Sequence, residues 1–211
     1  MAVIVHHLNN SRSQRVLWML EELGLSYEIV FHQRDAVTNL APAALKEVHP
    51  LGKSPVIVDN GRTIAESGAI LDYLARWHGA TQIACTPDDP NWPTYLHWMH
   101  WAEGSAMLPL MLFLYTSRLG EGAAPLMPRI TSEIDNHLGY INGALEGRDY
   151  LVGDKLTAAD IQNSFVLEAA NTFGRAETYP NIKRVLTAWQ ARPAYRRALE
   201  KGGPYNMGPK D

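Results

Sequence analysis

The chain has 211 residues, 46% of them apolar and 19% charged, enough to bury a substantial core and to exclude a largely disordered polymer. Its 19 Lys and Arg against 22 Asp and Glu leave a net charge of −3, without the basic excess that nucleic-acid-binding domains gather on one face. The single cysteine, Cys85, excludes an intramolecular disulfide framework, a cysteine-based zinc site and a Cys-x-x-Cys redox centre. The apolar start Met1–Val5 is cut short by His6, His7, Asn9 and Asn10, well before a signal-peptide core is complete. No run approaches the roughly 20 apolar residues that span a bilayer. A soluble, cytoplasmic protein with no nucleic-acid and no membrane partner is the expectation.

In chain order, Ala2–His6 is an apolar run of strand length, punctuated by Asn9-Asn10-Ser11. From Arg12 to Leu23, apolar residues at Val16, Leu17, Leu20 and Leu23 follow a helical period that ends on Gly24, a residue suited to a C-terminal cap. Tyr27–Phe31 reads as a second strand, and strand, helix, strand over so short a span implies a right-handed parallel βαβ unit. A short helix is predicted over Ala43–Val48, between Pro42 and Pro50. Val56–Val58, Asp59-Asn60-Gly61 and Thr63–Ala65 form a hairpin, with Asn-Gly in a type I′ turn. Ser67 then caps a helix whose apolar face takes Ile70, Leu71, Leu74 and Trp77. The order β-α-β, α, β-β-α describes a mixed four-stranded α/β domain of thioredoxin-like arrangement over residues 1–80.

Residues 81–93, with three prolines and the adjacent Asp88 and Asp89, read as an interdomain linker. Beyond it come only helix-period stretches: Thr94–Arg118, Leu126–Leu145, Ala158–Phe173, Ile182–Arg192 and Ala194–Lys201. They make an all-helical bundle domain over 94–201. Thr157 and Asp160 form a capping box, with Leu156 and Ile161 as its hydrophobic staple. Residues 202–211, rich in Gly and Pro, are an irregular tail.

Lys53-Ser54-Pro55, Glu66-Ser67-Gly68-Ala69-Ile70, a linker and a helical half bearing Leu-Thr-x-Ala-Asp-Ile together resemble a glutathione S-transferase, over roughly residues 2–200. The opening from His6 to Trp18 is most similar to bacterial and fungal members. Each motif alone is weak, and their order and spacing are what is specific. Such an enzyme takes glutathione as co-substrate. A thiol near pKa 8.5 must fall by roughly two units, about 2.7 kcal/mol, to be mostly thiolate at neutral pH. A hydrogen bond to the charged sulfur contributes roughly 1.5–3 kcal/mol and a helix N-terminus about 0.3–1, so no metal is called for.

The hydroxyl required lies between the first strand and the first helix, and Ser11 falls there, on the catalytic serine of the serine-type enzymes. Tyrosine-type members place Tyr where this chain has His6 and His7; cysteine-type members need a thiol near Ser11, and Cys85 is in the linker. The bland alternative for Ser11 is a helix cap. Asn10 is placed to add a second hydrogen bond, with Ser13 and Asn10 as fallback groups. The resemblance implies a cis bond at Ser54-Pro55, which turns the backbone of Ser54 toward the cysteine of the peptide; family members more often carry an apolar residue at 54. Gly52-Lys53-Ser54 also looks like the end of a phosphate-binding loop, but that loop would need glycine where Glu47 stands.

Glu66 suits the α-amino group of the γ-glutamyl end, and the Ser67 hydroxyl and amide suit its carboxylate; the alternative is a plain N-cap. Lys53 is the candidate for the glycyl carboxylate, and Leu40 occupies the register where serine-type relatives add a histidine. An apolar co-substrate is expected between the domains, along His97-Trp98-Met99-His100-Trp101 into Met107, Met111 and Tyr115, although for any one of these residues bundle core or a dimer contact is the more common role. His97, His100 and Glu103 share a helical face but lack a further ligand, so no metal is assigned. Arg192, Arg196, Arg197 and Lys201 read as a solvated helix end.

The implied activity is conjugation of the glutathione thiolate to electrophilic, apolar small molecules, a detoxification chemistry, by a homodimer in which the third helix of one subunit faces the helical domain of the other. The rivals are a glutathione-dependent peroxidase or disulfide reductase, and a non-catalytic binding protein that keeps the fold.

Overall fold

Along β1 (Val3–Leu8), Val3, Val5 and His7 are buried while Ile4 and His6 are half-buried, the period of a strand with one face closed over. The computed structural model describes residues 2–78 and 83–209. The expected domain end at 79–80, linker positions 81–82 and tail positions 210–211 lie outside the described residues. The chain divides into two compact units, Met1–Ala84 with Trp189–Asp211, and Cys85–Ala188.

In the first unit, α1 (Ser13–Leu23) follows β1 and ends on Gly24, whose φ of 64° and ψ of 27° give the left-handed cap. There Leu25 N–H donates to Leu20 O, the closure of a Schellman turn. β2 (Tyr27–His32) returns parallel to β1, Val3 beside Tyr27 and His7 beside Phe31. After the short α2 (Leu45–Val48), β3 (Val56–Asp59) and β4 (Arg62–Ala65) form the hairpin, with Asn60 and Gly61 both at positive φ as a type I′ turn demands. The sheet order is β2-β1-β3-β4, with β3 antiparallel to both its neighbours.

α3 (Ser67–Trp77) buries Ile70, Leu71 and Leu74. Two expectations fail on this helix. Trp77 is 60% exposed, stacked on Tyr73 under the Arg62 guanidinium rather than in the core. Ser67 is the first helical residue and Glu66 holds the cap position, so the Ser67 hydroxyl does not cap its own helix.

α9 (Pro193–Gly202) completes this unit, which departs from the division that left it with the helical half. Trp18 of α1 meets Tyr195 edge-on at 5.3 Å. Glu22 takes two bonds from Arg192, at 2.6 and 2.9 Å, and Glu21 takes Arg197 at 2.7 Å and Lys201. Arg196 turns onto the Gln190 carbonyl. Arg192, Arg197 and Lys201 are therefore a clamp on α1 rather than a solvated end.

The second unit contains only helices among its described residues. α4 (Trp92–Trp101) runs through a π turn at Ala102–Ala106 into α5 (Met107–Thr116), and a 3₁₀ stretch, Ser117–Ala123, follows. α6 (Met127–Ala144), α7 (Ala158–Thr172) and α8 (Pro180–Gln190) complete it, the last two residues of α8 joining the first unit. α7 is buried without a break from Ala158 to Ala170, which places it at the centre. Its start is held by Asp160, which accepts from Thr157 N–H and Leu151 N–H, each at 2.7 Å, within the capping box the sequence announces. Burial pushes the Asp160 carboxyl up to about 7 against those backbone donors, which favour its charged form. No described helix is long and apolar enough to cross a membrane.

Candidate active site

The turn between β1 and α1 is fixed from three sides. Asn10 has a φ of 51°, a left-handed conformation that asparagine tolerates better than most residues. Arg34 donates to the carbonyls of Asn9 and Asn10, both at 3.2 Å, and to that of Asn39. Asn206 N–H of the tail donates to Asn10 Oδ1 at 2.7 Å. The Asn10 amide oxygen thus holds one donor, and its NH₂ group is a hydrogen-bond donor for a ligand.

This turn delivers Ser11 to the N-terminus of α1. Ser11 is 7% exposed, and its Oγ accepts from Ser13 N–H at 3.2 Å. Arg12 holds the cap position of α1 and Ser11 precedes it, so Ser11 is not the cap residue; the Ser13 amide uses a lone pair of the Ser11 oxygen, while the hydroxyl proton is a separate resource. Ser13, a fallback in the sequence reading, is fully buried, with its Oγ 2.8 Å from Ser11 Oγ and 2.8 Å from His7 Nδ1. Burial is the main cause that drives His7 down to about 4; the Gly202 backbone bond opposes it and the charge of His32 adds to it.

Across the same unit the Ser54-Pro55 bond is cis. The Ser54 hydroxyl donates to His6 O at 2.9 Å, so it is engaged with β1. Lys53 is exposed beside it. Glu66, also exposed, enters α3 at a φ of 69°, and Ser67 behind it is 3% exposed. Ser67 Oγ accepts from Arg15 Nη1 at 3.1 Å.

Arg15, 1% exposed, is a residue the sequence reading missed. It places a guanidinium at the N-terminus of α3, where positive charge adds to the helix dipole in favouring an anion. By occupying a lone pair of Ser67 Oγ, it also leaves the Ser67 proton for another acceptor. The signal was present but indirect: an arginine between Gln14 and Val16, in a helix whose neighbours are apolar.

In the helical unit, Met107 is buried at 3% exposure and Met111, one turn on, is half-buried. His97 donates to or accepts from Tyr140 Oη at 3.1 Å and lies edge-on to Trp98, inside an aromatic cluster that Trp101 completes. Within the first unit, Ser11 stands at the start of α1, Ser54 is bonded back to β1, and Ser67 is tied to α1 through Arg15.

Comparisons with known proteins follow the same division. Family models for the N-terminal and the C-terminal domain of glutathione S-transferase match residues 2–76 and 105–193. Glutathione S-transferase 3 of Schizosaccharomyces pombe is 37% identical over 94% of this chain and 87% of its own length. A crystal structure of a glutathione S-transferase from Actinobacillus pleuropneumoniae superimposes with a TM-score of 0.89 at 30% identity, covering 97% of this chain and 95% of that one. A glutathione transferase family member from Pseudomonas fluorescens, crystallised with two glutathione bound, gives a TM-score of 0.80 at 28% identity, covering 94% of this chain and 92% of that one.

Proposed function

The chain belongs to the glutathione S-transferase family, and we propose that it works there as a serine-type enzyme, conjugating the glutathione thiolate to electrophilic, apolar small molecules. The observation that carries this reading is the state of the Ser11 hydroxyl. Its oxygen is anchored by the Ser13 amide at the start of α1, and its hydroxyl lies 2.8 Å from Ser13 Oγ, a neutral contact that a thiolate acceptor can replace. A hydrogen bond to an anion and a helix N-terminus then act on the same atom, and their sum of roughly 2–4 kcal/mol matches the drop a thiol needs.

In this reading Ser54 and Pro55 pair the backbone with the cysteine of the peptide. Glu66 takes the α-amino group. Ser67, backed by Arg15 at 3.1 Å, takes the γ-glutamyl carboxylate. Lys53 takes the glycyl carboxylate, and Asn10 adds a donor near the sulfur. Met111, half-buried, is the better exposed of the two methionines to meet an apolar co-substrate, with Met107 behind it. The protein acts in the cytoplasm, clears reactive electrophiles, and works as a homodimer. The dimer is supported by Leu108, Leu112 and Tyr115, all exposed at four- and three-residue steps along α5, and by Trp77 exposed on α3.

The test is turnover of wild type and Ser11→Ala with an aryl halide, an organic peroxide and a mixed disulfide, alongside glutathione affinity. Conjugation is expected to dominate, with turnover of Ser11→Ala down at least tenfold and affinity little changed. Turnover of peroxide or disulfide alone would move the protein to the reductive chemistries. Absence of glutathione binding would make it a non-catalytic member of the fold.

A further inference from the structure

Behind Ser11 runs a buried polar chain that the reaction, as so far described, does not use. Ser13 Oγ lies 2.8 Å from Ser11 Oγ and 2.8 Å from His7 Nδ1, and it is within reach of Leu8 on both sides, Leu8 O at 3.1 Å and Leu8 N–H at 3.3 Å. His7 is 3% exposed and held by the Gly202 backbone, its ring edge-on to Phe31 at 5.8 Å. Of these polar side chains, Ser11 is the one that comes nearest to solvent.

A serine oxygen gives one hydrogen bond and accepts two. If Ser11 is to give its proton to a sulfur, the contacts that fix its oxygen must be ones it accepts, or ones it can leave cheaply. Ser13 supplies both kinds. Its amide anchors the Ser11 oxygen, and its own Oγ receives the Ser11 proton while no anion is present. Exchanging that neutral O–H···O bond for a charge-assisted bond to a thiolate is favourable, because the latter is roughly twice as strong. The oxygen itself need not move, so little order has to be imposed when the peptide arrives. At rest the Ser13 proton is taken by His7 Nδ1, with Leu8 O as the alternative acceptor at 3.1 Å; once Ser11 gives its own proton to the sulfur, the Ser13 hydroxyl turns to donate to Ser11 Oγ, so that a hydrogen stays between the two oxygens.

We propose that Ser13 and His7 are positioning residues for the transfer reaction, a two-step support that sets the Ser11 hydroxyl in place for the sulfur. This rests on Ser11 being the thiolate-stabilising group. Neither residue touches substrate, and both act through Ser11. The low pKa of His7 fits the role, because the ring stays a neutral acceptor over the range in which a bound thiol would ionise. Chemistry of this kind depends on the first residue of α1 being a hydroxyl donor and acceptor, not merely small.

The experiment is the pH profile of kcat/KM for conjugation, whose acid limb reports ionisation of the bound thiol, measured with KM for glutathione in wild type, Ser11→Ala, Ser13→Ala, Ser13→Thr, His7→Gln and His7→Leu. Ser13→Ala is expected to move the acid limb up by about one pH unit, a tenfold loss below it, with KM changed less than about twofold. Ser13→Thr, which keeps the hydroxyl, restores most of the rate. His7→Leu shifts the limb in the same direction by less, and His7→Gln, which keeps an acceptor, shifts it less still. Should Ser13→Ala fail to fold, the His7→Leu and His7→Gln pair decides by the same ordering. A shifted limb in Ser11→Ala with unshifted profiles in the Ser13 and His7 variants overturns the proposal and leaves the serine assignment standing. An unshifted limb in Ser11→Ala overturns the serine assignment itself.

Discussion

Gly202 sits where α9 closes on α1, and a single added carbon there would lie 2.8 Å from Leu17 Cδ1, 3.1 Å from Gln14 Oε1 and 3.6 Å from His7 Cε1. Leu17 is fully buried, so its methyl has nowhere to retreat. Gly202→Ala is expected to cost about 1–3 kcal/mol, the usual cost of overpacking, read as a lower midpoint in urea with an unchanged slope. Because His7 lies against the same residue, turnover should fall in the surviving folded protein as well. At this scale the readable residues are those whose role is local. The position of Ser11 at the turn between β1 and α1 follows from the strand and helix periods, Asn60-Gly61 from the turn it makes, and the bond before Pro55 from the motif around it. Arg15 and Ser67 are 52 positions apart, and nothing in either neighbourhood announces their bond. The side-chain turn of Ser54 onto His6 is hidden for the same reason: it needs the register of β1 against β3, which the pattern alone does not fix.

Among elements, the pairing of α1 with α9 is the one that the sequence conceals most. Helix ends and lengths were legible because capping residues and apolar periods are written within a dozen residues, as at Gly24 and at the Thr157–Asp160 box. The positive charges of α9 looked solvated because their partners, Glu21 and Glu22, lie some 170 to 180 positions earlier. Trp77 fell on the helical period of α3 but at its last turn, beyond the edge of the sheet-facing core. The clamp has a pH signature. Burial pushes the Glu21 carboxyl up, but hydrogen bonds from Lys201, Tyr27 and Arg197 outweigh it and hold the group at about 2, against an ordinary 4.5. A depressed carboxyl contributes stability that is complete above about 4.5 and is lost as pH falls through 2. Glu21→Gln is therefore expected to lower stability at neutral pH by about 1–3 kcal/mol, as for a lost hydrogen bond to a charged group, and to flatten the acid decline between pH 4.5 and 2. Thermal or urea unfolding across that window measures both.

For the whole molecule, the two-unit organisation was legible from composition, the order of periods and the proline-rich break, whereas the allegiance of residues 189–211 was not. A helix that follows four others in sequence reads as their fifth, and only tertiary packing moves it. Assembly is the other property of this scale. In the proposed homodimer, the exposed apolar row Leu108, Leu112 and Tyr115 is the candidate interface. Leu108→Lys with Leu112→Lys is expected to convert a dimer into a monomer in sedimentation at micromolar concentration; a wild type that sediments as a monomer would remove the dimer from the reading. Because the first unit is assembled from both ends of the chain, its α1 face emerges from a ribosome long before the helix that covers it. At ordinary elongation rates that interval is on the order of ten seconds. Throughout it Leu17, Trp18 and Glu21 lack their α9 neighbours, and His7 lacks the Gly202 backbone. The Ser11 hydroxyl, the proposed thiolate partner, is thus among the first parts of the candidate site to be synthesised and among the last to be locked in place.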